Sequence, residues 1–137
     1  MWLAAAAVVL LAIGGWLWVR HPPSGQTAAV VVLDFRGRGP VRGETSDVAH
    51  QPPLEIPRGA RHIQLDLPVG SNEGTYNLAL LDENGAELLH ATGTAELEDH
   101  VVTLRVEVDL ERLSPGPYVL GLRQPELEWM RFPVRLL

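Results

Sequence analysis

Few side chains in this 137-residue sequence fall into the spacings that catalysis or metal binding requires. The five histidines are His21, His50, His62, His90 and His100, and no two of them form an H-x-H or H-x-x-x-H pair. Ligands held on one strand or helix face need such spacing. The chain has no cysteine, which excludes disulfides, thiolate metal sites and a cysteine nucleophile. Ser24, Ser46, Ser71 and Ser114 are all outside a G-x-S-x-G elbow. Gly37-Arg38-Gly39-Pro40 lacks the lysine and the helix start of a phosphate loop. Glu96/Glu98 and Glu126/Glu128 each sit two apart, so on a strand each pair shares one face, as paired glycosidase carboxylates would. Two acids on a solvated face are also ordinary surface chemistry. The reading is therefore no catalytic residue, no cofactor-binding residue and no metal ligand. Trp129 is the single binding candidate, because it phases with polar neighbours as an exposed aromatic would. Packing of Trp129 beneath a loop is the competing reading.

Alternation of apolar and polar residues supplies the elements that position these groups. Residues 28–33 form a compact apolar, β-branched run, read as a first strand. Residues 34–53 are rich in glycine and proline and read as a long loop, with a short edge strand near Val41. Ile63, Leu65 and Leu67 alternate with His62, Gln64 and Asp66. Tyr76, Leu78 and Leu80 alternate with Asn77 and Ala79. Asp82-Glu83-Asn84-Gly85 is a hairpin signal, since Asn-Gly tolerates positive φ. The return strand is predicted over 86–92, with Gly93 at its end or in a bulge, and His90 partly buried in phase with Leu88. Val101 to Leu110 alternates throughout, which describes a sheet with one wet and one dry face. Strands at 119–123 and 130–136 follow, the latter at an edge or bulged at Pro133, which has no N–H to give. About seven strands with no helical pattern after residue 20 predict an all-β, antiparallel two-sheet sandwich over 28–137.

Before that domain, Trp2 to Val19 is an unbroken uncharged run. As a helix it spans ~27 Å, close to the hydrocarbon thickness of a bilayer. Trp2 lies at one end and Trp16 and Trp18 at the other, where indoles favour the headgroup boundary. Arg20, His21 and Pro22-Pro23 end it, and residues 21–27 read as a linker. A buried core helix would be amphipathic, and a cleaved signal peptide would carry a basic start and a nearby small-residue cleavage site. Residues 1–20 are thus read as a transmembrane anchor. All eleven cationic residues are arginine, and the formal net charge is −6. All seventeen acids lie beyond the anchor, and an acidic domain argues against nucleic acid and anionic lipid as partners. The arginines at 36, 38, 42, 58 and 61 read as a solvated loop surface.

Two resemblances extend this reading. The stretch from Leu113 to Leu120, LSPGPYVL, resembles the corner before a late strand of immunoglobulin-like and fibronectin type III-like domains. In those domains a tyrosine hydroxyl bonds back to the chain a few residues upstream. The resemblance implies that role for Tyr118 and an immunoglobulin-like sandwich for the whole domain. The second covers nearly the whole chain: an apolar helix, a short linker, then LPVGSNEGTYNLALLDENGAEL and VTLRVEVDLERLSPGPYVLGL. It resembles the C-terminal part of bacterial anti-sigma-factor-like membrane proteins, in which a zinc-binding cytoplasmic segment precedes the membrane helix and an extracytoplasmic β-domain follows it. The zinc-binding segment has no counterpart in this cysteine-free sequence, so no sigma-binding residue carries over. The resemblance implies an extracytoplasmic (periplasmic) domain on a single-pass inner-membrane anchor. The positive-inside rule, applied to Arg20 and the arginines after it, favours the opposite orientation. The expected function is a non-enzymatic interaction module with an envelope protein partner, with a carbohydrate- or surface-binding module at Trp129 as the alternative. Alkaline carbonate extraction should leave the intact protein in the membrane pellet, and deletion of residues 1–20 should release it; an unprocessed intact chain in the supernatant would remove the anchor reading.

Overall fold

The computed structural model describes residues 30–38 and 51–137. The anchor, the linker and the expected edge strand at Val41 lie outside the described residues. Among those described, no helix is long and apolar enough to cross a membrane. The domain is all-β. Its eight strands are β1 (Val30–Asp34), β2 (Leu54–Ile56), β3 (His62–Asp66), β4 (Gly74–Leu81), β5 (Glu87–Glu98), β6 (Val101–Glu107), β7 (Gly116–Arg123) and β8 (Met130–Leu136). They hydrogen-bond in the order β1-β3-β6-β5-β4-β7-β8-β2, as one continuous sheet curled nearly into a barrel. All pairings are antiparallel except β1 with β3 and β2 with β8. The near-closure is visible where Phe35, just past β1, meets Phe132 of β8 with ring centroids 4.4 Å apart.

One strand makes the sheet continuous. β5 was expected to stop near Thr92, but it runs on to Glu98. It pairs with β4 from Glu87 to Ala95 and with β6 from Ala95 onward. Gly93 permits the transfer. A Cβ there would lie 2.6 Å from the Arg105 carbonyl oxygen, 2.7 Å from Val106 Cγ1 and 2.9 Å from Leu104 Cδ1. Gly93 therefore marks a close backbone approach, not a strand end. A register shift at Leu80/Leu81 also turns the β5 phase, so Leu89 and Ala91 pack against the core while Leu88 and His90 face solvent. The expected partial burial of His90 is corrected accordingly: it is exposed, 3.5 Å from Glu87.

Alternation fills most of the interior elsewhere, although Thr103, in the outward phase of β6, is buried as well. Leu65, Tyr76, Leu78, Leu104, Leu120, Leu122, Phe132, Val134 and Leu136 are buried in one cluster. β2 carries no clear pattern in the sequence; it is held because its Ile56 is buried and it pairs with Val134–Leu136. β8 is neither at the sheet edge nor bulged at Pro133, contrary to expectation: it lies between β7 and β2, and Pro133, which cannot donate, pairs with Val119 and lies just before the β2 pairing begins. After β1, the Arg36 guanidinium and backbone both donate to Asp34, at 2.7 to 3.0 Å, and hold its carboxyl down to about 2.

Two strands begin with the same device. Tyr118 Oη donates to the Ser114 carbonyl at 2.8 Å, and Tyr76 Oη donates to the Asn72 carbonyl at 2.9 Å. Each tyrosine follows a positive-φ glycine two residues back, Gly116 at 148° and Gly74 at 124°. β4 and β7 are antiparallel neighbours, so the two corners clamp opposite ends of the sheet. Burial pushes the Tyr76 phenol above its ordinary pKa. Gly93→Ala should lower stability by roughly 2–3 kcal/mol through overpacking, and Tyr76→Phe by about 1 kcal/mol. Both effects are read as a fall in urea midpoint with an unchanged slope.

Candidate functional site

Strand direction sets the two ends of the domain apart. β3 runs toward the 67–73 connection, β7 toward the 124–129 connection, and both reach the same end of the sheet. β1 is parallel to β3, so Val30, the first described residue, lies at the other end. Between the two connections is a groove of about 420 Å³. One wall is the Pro68–Asn72 turn; the other is the end of β7 with Leu127 to Met130. Gln124 Nε2 donates to the Glu73 carbonyl at 3.1 Å and Glu73 Oε1 accepts the Leu97 N–H at 2.8 Å, which ties the walls to the β5 end. Val69 is 89% exposed and Leu127 58% exposed, so each wall carries an apolar side chain in water.

Trp129 borders this groove and is half-buried. It stands opposite the end of β7, where the Arg123 guanidinium carbon lies over its ring, 4.5 Å from the centroid. Gly121 makes room for the indole: a Cβ there would meet Trp129 Cε3 at 3.0 Å. Ala79 pairs with Gly121 and is buried although its phase points outward. Neither sequence reading of Trp129 describes this environment. The ring is no free platform, and its cover is a strand face with a cation stacked on it.

Arg123 is the residue the sequence analysis passed over. Its Nε is fully buried without a hydrogen-bond acceptor, and the guanidinium has no ion pair among the described residues. Arg105 grips Glu98 through both carboxylate oxygens at 2.5 and 2.6 Å, Arg61 pairs with Glu111, and Arg58 donates to the carbonyls of Leu113 and Leu137. Arg131 and Arg135 form no ion pair among the described residues either, but Arg123 alone of the described arginines has a fully buried nitrogen without an acceptor. Glu128 lines the same groove as Arg123 but forms no ion pair with it. A cation–π contact offsets only part of the loss of hydration of a buried guanidinium nitrogen.

The remaining sequence candidates scatter. The Glu98 carboxyl is pulled below its ordinary pKa by the Arg105 guanidinium that hydrogen-bonds it, so it is a bound anion, and Glu96 is exposed. Glu126 occupies a turn with φ 68°. Asp99 and His100, at φ 47° and 68°, form the two-residue turn that closes β5 onto β6, which accounts for His100 as a turn residue. His62 is exposed beside Val30 on the far end. Ser71 lines the groove, and Ser114 serves the Tyr118 corner. Arg38 donates to the Pro52 carbonyl. His21, His50, Ser24 and Ser46 lie outside the described residues. No group of three or more His, Asp or Glu placed to hold a metal ion occurs among the described residues.

Comparison of the chain with protein-family models, with curated proteins and with solved structures finds no match. The site therefore rests on its own geometry. Arg123→Met should raise stability by about 1 kcal/mol, because an unsatisfied half-buried cation gives way to an apolar side chain of similar length. The measurement is the urea midpoint, and a clear fall would mean that the guanidinium is a structural element of the fold.

Proposed function

We propose that the chain is a non-enzymatic, membrane-tethered extracytoplasmic interaction module. Its β-domain would be immunoglobulin-like, and the groove at Arg123 and Trp129 would be its binding site for an envelope protein. The observation that carries this reading is the position of the groove. It opens at the end of the sheet opposite Val30, and Val30 is the described residue nearest in sequence to the hydrophobic segment 2–19. A tether entering at one end leaves the other free to meet a partner.

Several pairings support the immunoglobulin-like reading. β3 with β6, β4 with β7 and β7 with β8 are antiparallel, and β2 joins β8 in parallel. The Tyr118 corner precedes β7 in the manner of that fold. In such domains the connections that cluster at one end of the sheet are the ones that bind, and here those are 67–73 and 124–129. The resemblance to anti-sigma-factor-like membrane proteins supports a sensory or accessory role in a signalling system. A glycan platform has less support, since stacking a sugar requires an uncovered indole face and the Arg123 guanidinium lies over the ring.

Photo-crosslinking side chains placed at Val69 and at Leu127 in the intact protein should trap one defined envelope protein. The same group at Glu83, in the hairpin at the tethered end, should not. Equal trapping from Glu83, or none from either groove position in folded protein, would overturn the proposal.

A further inference from the structure

The groove states its ligand's chemistry in two parts. Arg123 is a half-buried cation with no oxygen partner among the described residues, its guanidinium carbon 4.5 Å from the centre of the Trp129 ring. A guanidinium so placed matches a carboxylate, which accepts two of its N–H groups at once. Around it stand apolar side chains, with Val69 and Leu127 exposed by 89% and 58% and Met130 and Trp129 half-buried. A ligand that satisfies both must bring a carboxylate and an apolar group into the same groove. An aspartate or glutamate side chain brings the charge without the bulk. An internal leucine or phenylalanine brings the bulk with only a neutral carbonyl. A hydrophobic residue at the end of a chain carries both on one Cα.

Resting on the interaction-module reading, we infer that the groove receives the C-terminal hydrophobic residue of a partner polypeptide, its terminal carboxylate on Arg123 and its side chain between Val69 and Leu127. A free hydrophobic acid shares the charge and the bulk, but the lining favours a polypeptide. Ser71 and Gln124 are already engaged by Tyr76 and the Glu73 carbonyl, but the exposed Asn72 side-chain amide lies along the groove, where the amides preceding a chain terminus can meet it and an alkyl tail cannot. The volume of about 420 Å³ has room for the last residues of a chain and falls in the range of small-ligand sites. Glu128 at the same groove adds a negative charge that Arg123 must outweigh, which makes the arginine indispensable for an anionic ligand.

The test titrates the full-length protein in detergent by calorimetry. The probes are glycine/serine octapeptides ending in Leu, Phe or Val, each as the free acid and as the C-terminal amide, with octanoate as the free-acid probe. The free-acid peptides should bind, and their amides should bind about tenfold or more weakly. Arg123→Met should abolish the preference for the acid, Arg123→Lys should restore part of it, and Arg131→Gln should leave it unchanged. Urea unfolding of each variant confirms the fold. Equal binding of acid and amide, binding of octanoate as tight as that of the peptides, or an acid preference that survives Arg123→Met would each overturn the inference. Crosslinks from Val69 and Leu127 in cells, with no peptide bound in the calorimeter, would overturn it too while leaving the interaction module standing.

Discussion

The fold depends on one missing methyl group. At Gly93 the backbone of β5 passes so close to β6 that a Cβ would sit inside the Arg105 carbonyl and the side chains of Leu104 and Val106. That approach lets a single strand finish its pairing with β4 and begin pairing with β6 without a break. Every other strand then has a neighbour set by this transfer. β6 brings β3 and β1, and β4 brings β7, β8 and β2. The curl that follows closes Phe35 onto Phe132 and shuts the core on both sides. Without the transfer the same strands would form two separate sheets.

The two Gly-x-Tyr corners show how the curled sheet is held at its ends. Each satisfies a loop carbonyl with a phenol whose ring is at or in the core, so the polar atom of a large aromatic is used where the chain must turn. The Tyr76 corner also shapes the groove, because the 67–73 connection that it fastens is one of the groove's walls. Stability and site are thus coupled through the same turn. The opposite wall is fastened by Gln124 on the Glu73 carbonyl, again a contact between the two connections and not within either.

The domain treats its charges unevenly. Most ion pairs are local and exposed, such as Asp34 with Arg36 or Asp109 with Arg112, and such pairs contribute little to stability. Arg123 is the contrast: a half-buried cation whose Nε is fully buried and whose one side-chain partner among the described residues is an aromatic face. A buried unsatisfied group is rare in native proteins, and a binding role is one use that accounts for it. In the sequence Trp129 stands out by its phase and Arg123 does not, because an arginine at the outward position of a strand looks like any solvated charge. Its distinctness arises only when the β7–β8 pairing, which ends at Leu122 and Met130, brings the adjoining Arg123 and Trp129 together.

Local chemistry decided much of this protein. The uncharged run 2–19, the absence of cysteine, the alternation in β3, β4, β6 and β8, the Asn84-Gly85 hairpin and the Tyr118 corner are all properties of neighbouring residues, legible because strand phase and turn preference act over a few positions. What the sequence alone left undecided is nonlocal. The extension of β5 through Gly93, the capture of β2 by β8 and the exposure of His90 depend on which strands meet, and a glycine reads the same at a strand end as at a close approach. The groove is the clearest case. Val69, Arg123 and Trp129 carry no shared pattern along the chain, and only the register of β4 on β7 and of β7 on β8 gathers them into one place.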